Sequence, residues 1–504
     1  MAADEIVEIE LKYDVDPTLP VPDFTKLSAV AGVTEPAVEN LDAIYYDTEN
    51  LDLAANMITL RRRSGGHDAG WHLKRPGHRQ SAGRPIDHAK RRELQVPLSA
   101  GATAADGSMR IPEVLLEQIR VHSRGRALRP IGAISTHREL SELHGSDGQI
   151  LAIFCTDTVT AQSLLPDGHA QAWTEWEIEL VDGNVKLLRK ADKFIRSSGA
   201  RTANAASKLA RTIGQTPIRA VPSLGQSPTA IDLVTTAIAH HLRQLTEQDP
   251  RVRAHEHDSV HQMRVATRRI RSVIAAYPRA LSGPRTDGVA AELKLLAAIL
   301  GAARDAEVQA ERAATLLSTE NASPAVLSTL VGIHKHRQQI AMGRVLATLD
   351  NPRYFRLLDD IDGLVSDPER GPDADRTARA ALDDAVDRAG RRLRKSTKAL
   401  HSRDGARADA QLHRIRKHAK RVRYCAEPGG LLNPPQKRAT TKRATMIQDR
   451  LGEYNDAAVS RAEIARAAAD PQLTAADAFT LGRLEAREQA AMTRARDAYL
   501  GIVD

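Results

Sequence analysis

Residues 8–12 read Glu-Ile-Glu-Leu-Lys, and this stretch decides the fold expected for the first part of the chain. In an extended strand Glu8, Glu10 and Lys12 point to one face, while the two apolar residues between them point to the other. A strand face that carries carboxylates at alternate positions is suited to holding cations.

Two further stretches repeat this alternation. Residues 175–180 read Glu-Trp-Glu-Ile-Glu-Leu, and Arg61 and Arg63 share a face in the same way. If these strands belong to one closed sheet, the pattern predicts a lumen of carboxylates and guanidinium groups inside an apolar outer layer. Taken alone, each stretch is equally well explained by an amphipathic strand whose polar face is exposed to solvent. Their joint occurrence favours a lumen suited to a metal-bound phosphate chain.

The composition predicts a cytoplasmic protein of at least two domains. A chain of 504 residues is longer than one hydrophobic core usually supports. Its two cysteines, Cys155 and Cys425, are far apart in sequence, which is typical of a reducing compartment. The N-terminus lacks the basic and apolar regions of a signal peptide. The apolar run over 295–303 is shorter than the roughly 20 residues of a membrane-spanning helix.

Secondary-structure patterns and charge divide the chain. Residues 1–215 contain short alternating segments and predicted helices over 185–198 and 204–212; the strand-like segments are 6–12, 41–47, 57–63, 70–74, 92–98, 150–158 and 173–180. Glycines and prolines over 64–92 predict a mobile loop.

Residues 1–216 carry a net charge of −3 and the remainder +11, so the second part is expected to bind a polyanion. A helical protein with solvated charged faces is the alternative.

The second part contains an internal repeat. The segment 261–271, which begins His-Gln-Met-Arg, matches the segment 413–423, which begins His-Arg-Ile-Arg, without a gap. Residues 300–305 match residues 451–456 at nearly the same offset. Two matches at nearly one offset predict two related helical bundles about a pseudo-twofold axis.

Each copy of the repeat carries a basic stripe. On a helix the four basic residues of the first copy fall within an arc of about 80°, opposite Met263 and Ile270. The predicted polyphosphate-binding residues are His261, Arg264, Arg268 and Arg271 in the first copy and His413, Arg416, Lys420 and Arg423 in the second. A solvated helix face is the alternative, but no acidic residue interrupts either stripe.

The expected partner of these stripes is a polyanion without bases. Neither histidine has a second ligand at metal spacing, so we interpret both as phosphate hydrogen-bond donors. Aromatic residues make up 3% of the chain and do not interleave with the stripes. Stacking on nucleic acid is therefore not expected, and inorganic polyphosphate fits.

Residues 1 to about 212 resemble the CYTH, or triphosphate tunnel metalloenzyme, family. The matching motifs follow the family's usual order: Glu8-x-Glu10-x-Lys12, Arg61-x-Arg63, Lys74-Arg-Pro-Gly77, Arg91-x-Glu93, Arg138, Asp157, Glu177-x-Glu179 and Ser207-Lys208. The resemblance implies a closed eight-stranded antiparallel tunnel. It also implies a reaction with Mg²⁺ or Mn²⁺, either cyclisation of ATP or hydrolysis of tripolyphosphate, thiamine triphosphate or RNA 5′-triphosphate.

The same resemblance implies roles for individual residues. Five carboxylates are expected around the metal: Glu8, Glu10, Asp157, Glu177 and Glu179. Six cations are expected around the triphosphate: Lys12, Arg61, Arg63, Lys74, Arg138 and Lys208. Two positions depart from the family pattern, because Gln95 stands where a glutamate is common and Thr136 where a lysine is common. Losing one charge of each sign is expected to lower turnover or alter substrate preference.

Residues from about 228 to 504 resemble the CHAD domain, a helical domain associated with polyphosphate. Both copies of the His-x-x-Arg motif and both Leu-Gly segments match it. The tandem order resembles that of bacterial inorganic triphosphatases.

We therefore predict an α+β protein. A closed antiparallel eight-stranded β tunnel with flanking helices is expected over 1–215 and a linker over 216–228. An all-α pseudo-twofold pair of helical bundles is expected over 229–504, with repeats over about 229–370 and 371–504.

The predicted function is metal-dependent hydrolysis of inorganic triphosphate, with polyphosphate binding by the helices. Lys74 and Glu93 are the predicted catalytic residues: Lys74 would stabilise phosphate charge, and either Glu93 or a metal-binding carboxylate would align the attacking water. The alternatives are a non-catalytic polyphosphate-binding protein, a nucleotide or thiamine triphosphatase, and an adenylate cyclase of the same fold.

Overall fold

The computed structural model describes residues 4–76, 90–101, 109–214, 222–318, 320, 322–400 and 405–503. The chain forms two compact units, residues 1–220 and 221–504. Parts of the loop expected over 64–92 and of the linker expected over 216–228 lie outside the described residues.

The first unit is built on a closed antiparallel β-barrel. Its eight strands are β1 (Asp4–Val15), β3 (Ala37–Asp47), β4 (Thr59–Ser64), β5 (Gly70–Pro76), β6 (Lys90–Pro97), β7 (Arg129–His144), β8 (Ile150–Ser163) and β9 (Ala170–Leu180). Two short strands, β2 (Gly32–Val33) and β10 (Arg201–Thr202), pair with β7 and β1. The order around the ring is β1-β6-β5-β4-β3-β7-β8-β9, and β9 pairs back with β1. The predicted eight-stranded tunnel is confirmed.

Apolar side chains on the outside of the barrel are covered by helices. The flanking helices are α1 (Asp52–Ala55), α2 (Glu113–Ser123), α3 (Val185–Ser197) and α4 (Lys208–Ile213). Ile9 and Leu11 of β1 pack on the cluster that includes Leu188 of α3. On β5 the fully buried Trp71 packs with Ile119 of α2. Because alternate residues of a strand face opposite ways, these contacts turn the charged residues of β1 into the lumen.

Helix α4 is the exception, since it packs on the inner face. Leu209 lies in a cluster with Ile134, Val159 and Trp173, which are on the lumen face of their strands. The side chain of Ser207 caps the helix by accepting a hydrogen bond from the Ala210 amide at 3.1 Å. The first residue of α4, Lys208, is thereby directed at the carboxylates of the lumen.

The second unit is entirely helical in its described residues. Its helices are α5 (Ala230–Arg253), α6 (Ser259–Ala276), α7 (Pro284–Leu317), α8 (Pro324–Leu327), α9 (Ile333–Leu349), α10 (Pro352–Ser366), α11 (Ala378–Lys398), α12 (Gly405–Ala426), α13 (Arg438–Ala467) and α14 (Ala475–Val503). Across the described residues of both units, no helix is long and apolar enough to cross a membrane.

The two sequence repeats are related by matching contacts. Helices α6 and α12 carry the basic stripes, and α7 and α13 carry the Leu-Gly segments. The backbone segments that lead into α5 and α11 pair with each other: the Ala230 amide donates to the Arg376 carbonyl at 2.7 Å, and the Ala378 amide donates to the Pro228 carbonyl at 2.9 Å. This reciprocal pairing is the contact expected at a pseudo-twofold axis.

Candidate functional site

The lumen places acids and bases in direct contact. Glu8 and Glu177 are buried, and Lys12 lies against Glu177 and 3.0 Å from Glu10. Arg61, Lys74 and Arg138 also reach lumen carboxylates. The predicted tunnel residues of β1, β4, β5, β7, β8 and β9 therefore meet inside one barrel, although their chemical roles stay predictions.

One group of lumen charges surrounds Arg138; we call it the Arg138 cluster, and it contains Arg138, Asp157, Glu175, Glu177 and Lys208. Arg138 makes a bidentate pair with Asp157, at 2.7 and 2.6 Å, and its Nη2 also donates to Glu177 at 2.7 Å. The Lys208 ammonium lies 2.7 to 2.8 Å from all three carboxylates. Burial opposes ionisation of Glu177, but Lys12, Lys208 and Arg138 hold its pKa well below the usual range.

A second group, the Lys74 cluster, contains Glu8, Arg61, His72, Lys74 and Glu93. The Lys74 ammonium lies 2.6 Å from Glu8 and 3.5 Å from Glu93. Nδ1 of His72 lies 2.7 Å from Glu93, and Arg61 approaches the same carboxylate at 3.9 Å. Glu93 therefore lies among Lys74, Arg61 and His72 and makes its shortest contact with His72.

The electrostatics of Glu93 are unfavourable for a general base. Burial alone would raise its pKa, but hydrogen bonds with His72 and Glu8 and the charge of Lys74 hold that pKa well below the usual range. A proton acceptor works best with a pKa near the working pH. Its contacts suit a residue that positions Lys74, and its alignment of the attacking water stays a prediction.

The carboxylates Glu8 and Glu10 of β1 do not have a lysine to themselves. Lys74 contacts both Glu8 and Glu93, and Lys12 contacts both Glu10 and Glu177. Glu10 lies directly opposite Glu179 in the strand pairing. Burial and the hydrogen bond with Glu93 raise the pKa of Glu8 to about 8, and burial raises the pKa of Glu179. Like charges on paired strands destabilise each other unless a cation lies between them. The hard oxygen donors of Glu8, Glu10 and Glu179 therefore fit Mg²⁺ or Mn²⁺.

Asp157, Glu175 and Glu177 also bring carboxylate oxygens within 4.8 Å of one another, so a buried acidic cluster that could hold a metal ion is present. Their charge is already offset by Arg138 and Lys208, whereas Glu179, which faces Glu10 across the strand pairing, makes no ion pair with any described residue. For this reason we favour Glu8, Glu10 and Glu179 as the residues that would hold the ion.

The basic stripes of α6 and α12 come together. Helices α6 and α12 pack against each other, and burial together with the charges of Arg416, Arg268 and Arg264 lowers the pKa of Lys420 to about 7. The Tyr424 ring lies between the stripes, with its centre 5.9 Å from the Arg268 guanidinium and 5.0 Å from that of Arg423. We call this surface the basic groove.

The Leu-Gly segments lie directly beside the arginines of the basic groove. A Cβ atom on Gly301 would lie 3.8 Å from the Arg264 guanidinium, and one on Gly452 would lie 3.9 Å from that of Arg416. The two repeats thus present their first arginine in the same way.

Not all members of the basic groove are equally free. Arg264 pairs with Asp305 at 2.8 Å, and His413 shares a hydrogen bond with Asn455. His261 and Arg271 are partly exposed on α6. Among the described residues, the buried Nε atoms of Arg268 and Arg416 have no hydrogen-bond partner. Leaving a buried donor without a partner costs stability, so an anion that reached these two atoms would satisfy them.

Comparison with known proteins matches both units. A CYTH domain model matches residues 7–213 and a CHAD domain model residues 236–465. The uncharacterized protein Rv2226 of Mycobacterium tuberculosis is 38% identical over 97% of this chain and 94% of its own length. The chain belongs to the CYTH–CHAD proteins.

Two solved structures are similar to parts of this CYTH–CHAD chain. PptA from Streptomyces chartreusis is 20% identical with a TM-score of 0.46, and covers 54% of this chain and 99% of its own. The CHAD domain from Ricinus communis is 24% identical with a TM-score of 0.43, and covers 57% of this chain and 97% of its own.

Three polar residues that contact the predicted tunnel residues were not assigned to the site by the sequence analysis. Glu175 was quoted in the β9 motif but not assigned to the site, although it shares the face of Glu177. His72 lies two residues before Lys74 on β5, so the alternation that predicted an inward-facing Lys74 also predicted an inward-facing His72. Asp68 lies in the turn between β4 and β5, where no periodic pattern exists, yet its carboxylate pairs with Arg63.

The departure at position 95 has a structural role. The Gln95 amide donates to the Asp68 carbonyl oxygen at 3.0 Å. A glutamate at position 95 would place a carboxylate oxygen against the Asp68 carbonyl oxygen. The hydrogen bond that the Gln95 amide donates would then be lost. The other departure, Thr136, is buried in β7.

Replacing Gln95 with glutamate is therefore expected to destabilise the protein rather than restore a missing ligand. The lost hydrogen bond should lower the free energy of unfolding by about 0.5 to 1.5 kcal/mol, since the Asp68 carbonyl still accepts a hydrogen bond from His72. Urea denaturation would measure this, with Gln149→Glu in the exposed β7–β8 turn as the matched control. Unchanged stability in Gln95→Glu would contradict the role given to the Gln95 amide.

Polyanion binding in the basic groove is expected to take up protons. Above pH 7 a large fraction of Lys420 is neutral, and a bound polyanion would raise its pKa toward that of an ordinary lysine. Affinity for polyphosphate should therefore fall as pH rises from 7 to 9, a window in which an ordinary histidine is already neutral. Calorimetry in buffers of different ionisation enthalpy would measure the uptake.

Two variants on α12 check this assignment. Lys420→Met should abolish the proton uptake, and Lys417→Met, at an exposed position of the same helix, should keep it. Equal proton uptake in Lys420→Met and wild type would refute the assignment to Lys420.

Proposed function

We propose that the CYTH tunnel hydrolyses inorganic triphosphate with a divalent metal and that the CHAD domain binds polyphosphate in the basic groove. The observation that carries the proposal is the lumen itself, where each of the six predicted cations pairs with a carboxylate. A short phosphate chain with a metal carries charges of both signs and could exchange with those ion pairs.

The cations would bind phosphate oxygens once their carboxylate partners release them. Arg61, Lys74 and Arg138 are held within the lumen by Glu93, Glu8 and Asp157. These carboxylates place the cations within the lumen, so once released from their partners the cations would lie where they can offset charge in the transition state of phosphoryl transfer.

Glu8, Glu10 and Glu179 would hold Mg²⁺ or Mn²⁺. When bound, such an ion polarises phosphoryl oxygens and lowers the pKa of a coordinated water. Glu93 would hold Lys74 against the phosphate chain, and the closed barrel would limit access of bulk water.

Phosphate release from tripolyphosphate in the presence of Mg²⁺ or Mn²⁺ tests the proposal, with ATP and thiamine triphosphate as competing substrates. We expect the highest kcat/KM with tripolyphosphate and no cyclic AMP from ATP. Polyphosphate binding without phosphate release would contradict the enzyme proposal, and cyclic AMP formation would favour a cyclase.

A further inference from the structure

Asp68 occupies an unusual position for a turn residue, because both its side chain and its main chain bind residues of the lumen. The turn joins β4 to β5 at a rim of the barrel. Its carboxylate pairs with Arg63. Its carbonyl oxygen accepts hydrogen bonds from His72 Nε2 and from the Gln95 amide, each at 3.0 Å.

The backbone of this turn packs closely against strand β3. Gly65 and Gly66 have φ angles of +79° and +72°, which favour glycine. A Cβ atom on Gly65 would lie 1.9 Å from the Asn40 carbonyl oxygen, so no larger residue fits there. The His67 amide donates to the Glu39 carboxylate of β3 at 3.2 Å. The neighbouring strand therefore holds the turn in place.

Arg63 needs an anion at this position. It is buried, and its desolvation together with the charges of Arg61 and Arg138 lowers its pKa to about 9. Asp68 supplies that anion while remaining about a third exposed at the rim. A phosphate group that enters the lumen would compete for the same guanidinium.

We propose that Asp68 selects the substrate of the tunnel: its carboxylate occupies Arg63 until a phosphate group displaces it, and its charge opposes chains that continue past Arg63 toward the rim. The inference rests on the proposed function, since it concerns phosphate in the same lumen. It goes further by predicting a preference for short chains and naming the residue that sets it.

Steady-state hydrolysis of tripolyphosphate and tetrapolyphosphate by the full chain tests this role. In Asp68→Asn we expect a KM for tripolyphosphate about 5-fold lower, the factor that corresponds to an internal ion pair of about 1 kcal/mol. The ratio of kcat/KM for tetrapolyphosphate to that for tripolyphosphate should rise. Asp147→Asn removes the same charge from the exposed β7–β8 turn and should change neither quantity.

A second variant and a binding measurement keep the test decisive. Asp68→Ser should reproduce both effects and replaces Asp68→Asn if the latter unfolds. Tripolyphosphate binding measured in an Arg264→Ala/Arg416→Ala background reports on the tunnel without the basic groove. If the wild type binds but does not hydrolyse, the proposed function fails, while tighter binding by the Asp68 variants still supports the selection role. Unchanged affinity and chain-length ratio in both Asp68 variants would overturn it.

Discussion

Replacing Glu10 with glutamine is expected to lower kcat/KM for tripolyphosphate on the order of 100-fold, the loss typical of a disturbed metal site. The side chain keeps its size and can still accept a hydrogen bond from Lys12, 3.0 Å away in the wild type. The charge that faces Glu179 across the β1–β9 pairing is lost, so the metal would bind more weakly. The measurement is phosphate release as a function of Mn²⁺ concentration.

The matched control for this variant lies on the other face of the barrel wall. Glu139 follows Arg138 in β7, but its side chain is exposed on the outside. Glu139→Gln makes the same chemical change and should leave kcat/KM within about 2-fold of the wild type, because exposed charges outside the lumen are screened. Equal losses in both variants would mean that a general charge effect, and not a lumen site, explains the result.

Replacing Arg264 and Arg416 together with alanine is expected to weaken polyphosphate binding by at least about 10-fold at low salt. The two residues occupy equivalent places in the repeats, each beside a glycine of a Leu-Gly segment. Removing one arginine that binds a phosphate should also reduce the slope of log affinity against log salt by about one, so the slope should fall by about two. Calorimetric titrations at several salt concentrations measure both quantities.

Arg391→Ala/Arg414→Ala is the control for that change of charge. Both residues are exposed and lie outside the two stripes, on α11 and α12. This variant should bind polyphosphate nearly as the wild type does, with an unchanged salt slope. Equal weakening by the two double variants would contradict a defined groove and favour attraction by net charge alone.

Alternation along strands predicted which residues face the lumen, because its period is fixed at two. It placed Glu8, Glu10, Lys12, Arg61 and Arg63 correctly on one inner surface. It did not predict which acid meets which base, since that depends on register across the whole barrel. The pairing of Arg138 with both Asp157 and Glu177 is an example.

Strand β7 was absent from the segments expected to form strands. Its inner face carries Thr136 and Arg138, while Ser135, His137 and Glu139 are exposed on the outer face. Over residues 135–139 both faces of the strand carry polar side chains. The alternation of polar and apolar residues that marks a half-buried strand is therefore missing. Only pairing with β3 and β8 makes the stretch a strand.

The helical unit was predictable for a different reason. The offset repeat in the sequence indicated two related bundles, and the reciprocal backbone pairing near Thr229 and Thr377 agrees with that interpretation. The extra helix α10 in the first repeat and Tyr424, whose counterpart in the first repeat is Ser272, break the symmetry. Such differences follow from packing that a repeat pattern does not encode.

The anomalous scattering of Mn²⁺ in crystals grown with tripolyphosphate tests the central claim most directly, because it locates the ion without an activity assay. The account predicts Mn²⁺ bound by carboxylate oxygens of Glu8, Glu10 or Glu179, with phosphate groups against Lys12, Arg61 and Arg138. Mn²⁺ and tripolyphosphate bound outside the barrel, with the lumen ion pairs still intact, would contradict it.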